Sequence, residues 1–336
     1  MDWSKGFTAS YHMTRVDATT WADVERIEIA GGTVSRTISG LRQSADIDCA
    51  KWEYETECWV RVYLDAEQES DTAHEPLFTG LASVAEANIE GVRKSYPVEC
   101  CSVLKPCEDI LLERGYYVLA GSYSKQILLD LLAVTPAPVV VEMETNTNSP
   151  RLAQNIIAES GENHLSMVNK ILTAIGWRLK IDGDGTIRIG PPDPEIRGEW
   201  GIRNDTVEPK VKKRADWFKC PNVFRAVSGD LTSVVRDNNR NSFLSIPNRG
   251  REVWAEDSNA KLGDLEGLKQ YAERRLAEEQ SYAYSISYTR RYAPEVNVSD
   301  VIRLHYPEQG LMGEFMVVSQ HFDLSNGAPV QEGVQR

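Results

Sequence analysis

The residues able to do chemistry are six cysteines, five histidines, one aspartate–glycine turn and many carboxylates. Cys49, Cys58, Cys100, Cys101, Cys107 and Cys220 include no C-x-x-C pair. Cys100, Cys101 and Cys107 supply at most part of a zinc site. No histidine or fourth cysteine stands beside them, so reduced thiols are the better reading. Cys58 runs in phase with Val60, Val62 and Leu64 and reads as a small core residue. His12, His74, His164, His305 and His321 have no cysteine or serine partner at a recognisable spacing. His305 and His321 lie on successive predicted strands and could approach each other. Two imidazoles without a third ligand fall short of a metal site.

Asp182-Gly183-Asp184-Gly185 resembles the start of a calcium loop. Ile187 holds the place of that loop's turn glycine, and only Asp193 stands at its twelfth place, so a tight hairpin is the better reading. No helix follows whose N-terminus could hold phosphate. The chain has no G-x-S-x-G elbow, H-E-x-x-H pair, Walker loop or G-x-G-x-x-G after a strand. A carboxylate pair for glycan hydrolysis is not excluded, but with 50 Asp and Glu their presence is uninformative. The residues therefore specify no catalytic residue, no cofactor-binding residue and no metal ligand, and no cofactor is expected. Eight tryptophans and thirteen tyrosines remain. Trp52, Trp59, Trp177, Trp217 and Trp254 lie in or beside predicted strands and serve either sheet packing or a protein–protein interface.

The net charge of −13 is uneven. Residues 1–110 carry 10 Lys and Arg against 20 Asp and Glu, and the remainder 27 against 30. An acidic first third argues against tight nucleic-acid binding there, because such affinity comes from neutralising phosphates. The basic run Lys210 to Arg214 reads as a solvated linker rather than a nucleic-acid patch. No apolar run is long enough to span a membrane, and the N-terminus lacks a basic head followed by an apolar core.

The elements that would position these residues fall into three blocks. Residues 1–110 read as all-β, with short alternating strands separated by Gly31-Gly32, a polar loop Asp65 to Pro76 and Glu90-Gly91. Residues 111–200 read as α+β. They hold a helix from Ser124 to Ala133 with a serine start, and a helix from Asn163 to Ile175 capped by Asn163 and stopped at Gly176. A hairpin from Trp177 to Ile189 turns at Asp182–Gly185. Residues 201–221 read as a linker, and 222–336 as β-rich with one helix, 264–280. That helix has an apolar stripe of Leu265, Leu268, Ala272 and Leu276. A three-strand meander follows, opening with Ser281 to Tyr292, where Tyr282, Tyr284, Ile286 and Tyr288 share one face.

In this order the pieces resemble the baseplate hub, or tail-associated, family of long-tailed bacteriophages. The resemblance rests on Pro76 to Asp109, on Asn163 to Gly190, and on Leu268 to Tyr306 with Pro294, Asp300 and Ile302. It implies a β-rich α+β fold: two tail-tube-like β-barrel domains, 1–110 and 222–336, joined by the α+β domain 111–200 and the linker. It further implies a non-enzymatic homotrimer in the virion, assembled in the host cytoplasm, that caps the tail tube. Its implied partners are a tail-tube or distal tail protein, a tape-measure protein and a tail fibre or spike. DNA would pass through the ring without specific binding. Family members often continue into a lysozyme, peptidase or fibre; if Arg336 ends the chain, those activities belong to other proteins. The alternatives are a virion-associated cell-wall hydrolase and a carbohydrate-binding receptor module.

Overall fold

The computed structural model describes residues 1–336 except 70, 85–87, 91–92, 144–148, 202–206, 216–217, 219, 259, 261, 263, 282–283, 310 and 336, with backbone alone at 88–90, 93–94, 209, 215, 281, 284 and 309. The chain opens with β1 (Thr8–Val16), β2 (Asp23–Ile27), β3 (Ile29–Thr37), β4 (Gln43–Cys49), β5 (Cys58–Gln68), β6 (Asp71–Ser83), β7 (Asn88–Glu90) and β8 (Arg93–Ser102). A mixed segment follows: α1 (Lys105–Asp109), β9 (Tyr117–Val118), α2 (Ser124–Leu132), β10 (Val139–Val141), β11 (Ile156–Ile157), α3 (His164–Ile175), β12 (Arg178–Ile181) and β13 (Ile187–Gly190). Next come β14 (Ile196–Gly201) and β15 (Val207–Ala215). After them stand β16 (Val223–Ser228), β17 (Leu231–Arg236), α4 (Ile246–Arg249), β18 (Trp254–Asp257) and α5 (Leu265–Ser281). The chain closes with β19 (Tyr284–Arg291), β20 (Val301–Tyr306), β21 (Leu311–Asp323) and β22 (Pro329–Gln335).

The β-rich α+β class expected from the sequence is what the chain adopts. The main sheet runs β15-β19-β22-β21-β3-β4-β8-β6-β5-β1-β2, with β20 also on β21, β14 on β20 and β7 on β8. β21 is the strand on which both halves meet. It pairs β22 along one edge; on the other edge its start pairs β20 and its end pairs β3. Among the described residues the pairing closes no barrel, because β15 and β2 end the path and β14 pairs β20 alone. One core fills the first half around Met13, Val62 and Phe78, and another fills the second half around Ile302, Phe315 and Val317. The middle segment has its own core under α2 and α3, around Leu128, Met167 and Ile187.

Several sequence expectations change here. The expected linker 201–221 contains strand β15, paired antiparallel to β19. It is an edge strand, and Lys212, Lys213 and Arg214 are exposed on it. Charge along an edge discourages further strand pairing, which accounts for the basic run without nucleic acid. The helix expected inside the second β-domain instead covers a separate sheet, β17-β16-β18, burying Leu268, Ala272 and Leu276 against Phe224 and Ala226. Leu265 is exposed and leaves the stripe. The C-terminal strands form no simple meander, since β22 lies between β19 and β21. The polar stretch Asp65 to Pro76 is not a loop but the two arms of the β5–β6 hairpin. Ile286 and Tyr288 are buried as expected, whereas Tyr282 lies outside the described residues.

The middle segment matches its sequence closely. The Asn163 side chain accepts from Ser166 N at 2.8 Å, and Gly176 ends α3 with φ of 71°. Helix α2 starts without a side-chain cap of its own; Ser149 Oγ accepts from Lys125 N at 2.9 Å instead. The β12–β13 turn is pressed into the first half. The Thr79 hydroxyl donates to Gly183 O (2.8 Å), while Arg61 and the Trp21 indole donate to Asp184 O at 3.1 and 3.0 Å. Gly183 lies so close to β6 that a Cβ there would stand 1.7 Å from Pro76 O. Backbone pressed on backbone leaves no side chain that can yield. Gly183→Ala is therefore expected to lower unfolding stability in urea by about 1–3 kcal/mol. Gly31→Ala, with open space around it, should stay within about 0.5 kcal/mol of the parent.

Candidate functional site

The joint between the two halves is built by a row of buried polar side chains. Register places Tyr288 opposite Glu332, Glu332 opposite Gln320, Gln320 opposite Arg36 and Arg36 opposite Gln43, so the row crosses β19, β22, β21, β3 and β4. All five are buried. Glu332 accepts from Arg290 Nη2 and Nε (2.7 and 3.0 Å), from Tyr288 OH (2.6 Å) and from Gln320 Nε2 (2.9 Å). The Arg290 guanidinium lies 5.2 Å from the Trp200 ring of β14. Burial alone would raise the Glu332 carboxyl; the Arg290 charge, with Gln320 and Tyr288, holds it below its ordinary value. Further along, Arg36 Nη2 donates to Leu77 O (2.6 Å), and Gln43 Nε2 donates to Ile181 O (2.7 Å).

The β12–β13 hairpin is wedged into this joint from the middle segment. Ile181 O accepts from Gln43 of the first half and from Asn297 of the second. Lys180 Nζ stands 3.3 Å from Asp300 Oδ1. A polar hollow of about 360 Å³ remains where the three units meet, lined in part by Arg36, Glu75, Asp182, Arg197, Glu295 and Asp300. Asp182 and Asp184 thus serve a docked turn rather than a calcium loop: Asp182 takes the Arg188 guanidinium, and Asp184 Oδ1 accepts from Thr186 N.

A larger cleft of about 810 Å³ separates α3 from α5 and carries Glu159, Glu162, Asp257, Lys170 and Arg274. Two of its carboxylates, Glu162 and Asp257, are engaged. Glu162 takes Lys170 Nζ at 2.7 Å and Glu159 N at 2.8 Å, and Asp257 accepts from Tyr271 OH at 2.5 Å.

All six cysteines are free. Cys100 and Cys107 are buried, and burial pushes both thiols up. Cys58 is half-buried against the first core. His305 and His321 do not meet. His305 pairs Met312, nine residues before His321, and His321 Nδ1 instead contacts Ser35 Oγ at 2.8 Å. The histidines that do meet are His12 and His74, on either side of Asp65. Sequence reasoning missed them because Asp65 and His74 fell in a presumed loop. The β5–β6 register sets them opposite each other, and that register was hidden in the polar arms of the hairpin.

Arg290 and Glu332 are almost fully shielded from solvent. Replacing one partner leaves the other charge uncompensated. Glu332→Gln is expected to lose about 3–5 kcal/mol in denaturant unfolding, whereas Arg290→Met with Glu332→Leu should lose clearly less. Because the folded carboxyl lies below its ordinary 4.5, its contribution is present above that pH and is lost as pH falls through the folded value. The parent should therefore lose stability below about pH 4.5 more steeply than the double variant, as read by unfolding series at stepped pH.

No protein-family model and no curated protein sequence matches the chain. Solved structures do. The tail protein of Neisseria meningitidis MC58 superimposes with a TM-score of 0.72 at 14% identity, covering 98% of this chain and 96% of that one. The 43 kDa tail protein of prophage MuSo2 from Shewanella oneidensis gives 0.67 at 14% identity, covering 98% and 97%. Prophage tail protein gp18 of Listeria monocytogenes EGD-e gives 0.59 at 11% identity, covering 97% and 94%. From end to end, the chain has the fold of these tail proteins.

Proposed function

We propose that the chain is a structural, non-enzymatic hub protein of a bacteriophage tail tip or baseplate. The observation that carries this reading is the end-to-end superposition on tail proteins, which takes in both halves and the wedged middle segment together. In this reading the β1–β8 half and the half built from β14, β15 and β19–β22 are the two tube-like units of one subunit. Three subunits would then present six such units around a channel, converting threefold into sixfold symmetry at the end of a tail tube. The partners are a tail-tube or distal tail protein, a tape-measure protein and a fibre or spike, and the place of work is the virion.

Two further features support it. The excess of acid in residues 1–110 suits a wall along which DNA slides without adhering. Tyr117 and Ile157 face each other across β9 and β11 and stay 59% and 54% exposed, apolar surface of the sort a neighbouring tail protein covers.

Multi-angle light scattering of the purified chain at high concentration, alone and mixed with the tail-tube protein of its own particle, tests the proposal. A species of three subunits, alone or on mixing, is the expected outcome. A chain that stays monomeric at high concentration and ignores the tube protein contradicts it.

A further inference from the structure

The geometry points to a divalent transition-metal site formed by His12, Asp65 and His74 on the first half. The three residues stand on adjacent antiparallel strands. Asp65 of β5 is directly opposite His74 of β6, and His12 of β1 is opposite Tyr63, two residues before Asp65. The imidazole planes are 18° apart with centroids at 5.3 Å, and Tyr63 stacks on both. Both rings turn the same edge toward one carboxylate: His12 Nδ1 is 2.6 Å from Asp65 Oδ2, and His74 Nδ1 is 2.5 Å from Asp65 Oδ1. One ligand atom from each residue lies within 4.8 Å of the others.

Two imidazole nitrogens and one carboxylate oxygen form a donor set that selects zinc-class ions over magnesium or calcium, which take oxygen ligands. For binding, each neutral imidazole carries its proton on Nε2 and turns the Nδ1 lone pair inward. The nitrogen–oxygen distances must open to about 3 Å to admit an ion bonded at about 2.0–2.2 Å. The side chain of His74 is 55% exposed and free to make that adjustment, while the His12 side chain, 6% exposed, is held by the sheet. The exposed side leaves room for water as the remaining ligand.

Cobalt(II) titration of the full chain at neutral pH tests this assignment. One equivalent is expected to give the visible ligand-field bands of low-coordinate cobalt, and one equivalent of zinc should remove them. Zinc alone should raise the melting temperature. His74→Ala, with its folding checked by circular dichroism, should lose both the bands and the zinc response. His305→Ala, on the other half, should keep both. Absence of the bands at one equivalent, their survival in His74→Ala, or the intense near-ultraviolet charge transfer of thiolate ligation would overturn the assignment.

Discussion

A carboxylate with no access to water must receive all its partners from the fold, and Glu332 sets that demand on this protein. Its donors come from two other strands, Arg290 and Tyr288 of β19 and Gln320 of β21. A buried ion pair is weak evidence for net stability, because desolvation offsets much of the attraction. Its stronger effect is on register. A one-residue slip of β22 would turn Glu332 to the other face of the sheet and strand Arg290 without a counter-charge. The polar row continues through Gln320 and Arg36 to Gln43, so the same restriction extends from the second half into the first.

Two halves with separate cores are thereby joined through one sheet. β21 lends its single free edge to β20 and then to β3, so neither half keeps a sheet of its own. The β12–β13 hairpin then fills the angle between them. It meets the first half through Arg61, Thr79 and Gln43 and the second through Asn297 and Asp300. The small α5 layer stands apart, touching the middle segment where Arg274 donates to Thr173 O. In the proposed ring, the angle between the halves of each subunit would set whether the ring closes.

Where local chemistry decides structure, the sequence could be read directly. Asn163 and Gly176 bracket α3, Asp182 to Gly185 make the turn of the β12–β13 hairpin, and Ala45 to Cys49 and Cys58 to Leu64 lie on strands as their alternation indicates, whereas Gly31-Gly32, read as a turn, lies inside β3. Elements settled by distant partners could not be read this way. β22 puts Glu332 at an inward position between Val330 and Val334, which breaks the apolar alternation that marks a strand. β15 is rich in lysine because it is an edge, and so it resembled a linker. The pairing of His12 with Asp65 and His74 depends on two strand registers that no local signal reveals. The overall likeness to tail proteins was visible only in the order of elements, at an identity of 14% to the solved structures with the highest superposition quoted above.

An electron-microscopy reconstruction of the particle that carries the chain tests the proposed ring role. Three copies around the tail axis where the tube ends, each placing its two β-rich halves next to the channel, are the expected result. Density for the chain elsewhere, as a peripheral single copy or a receptor-binding tip away from the axis, would contradict it.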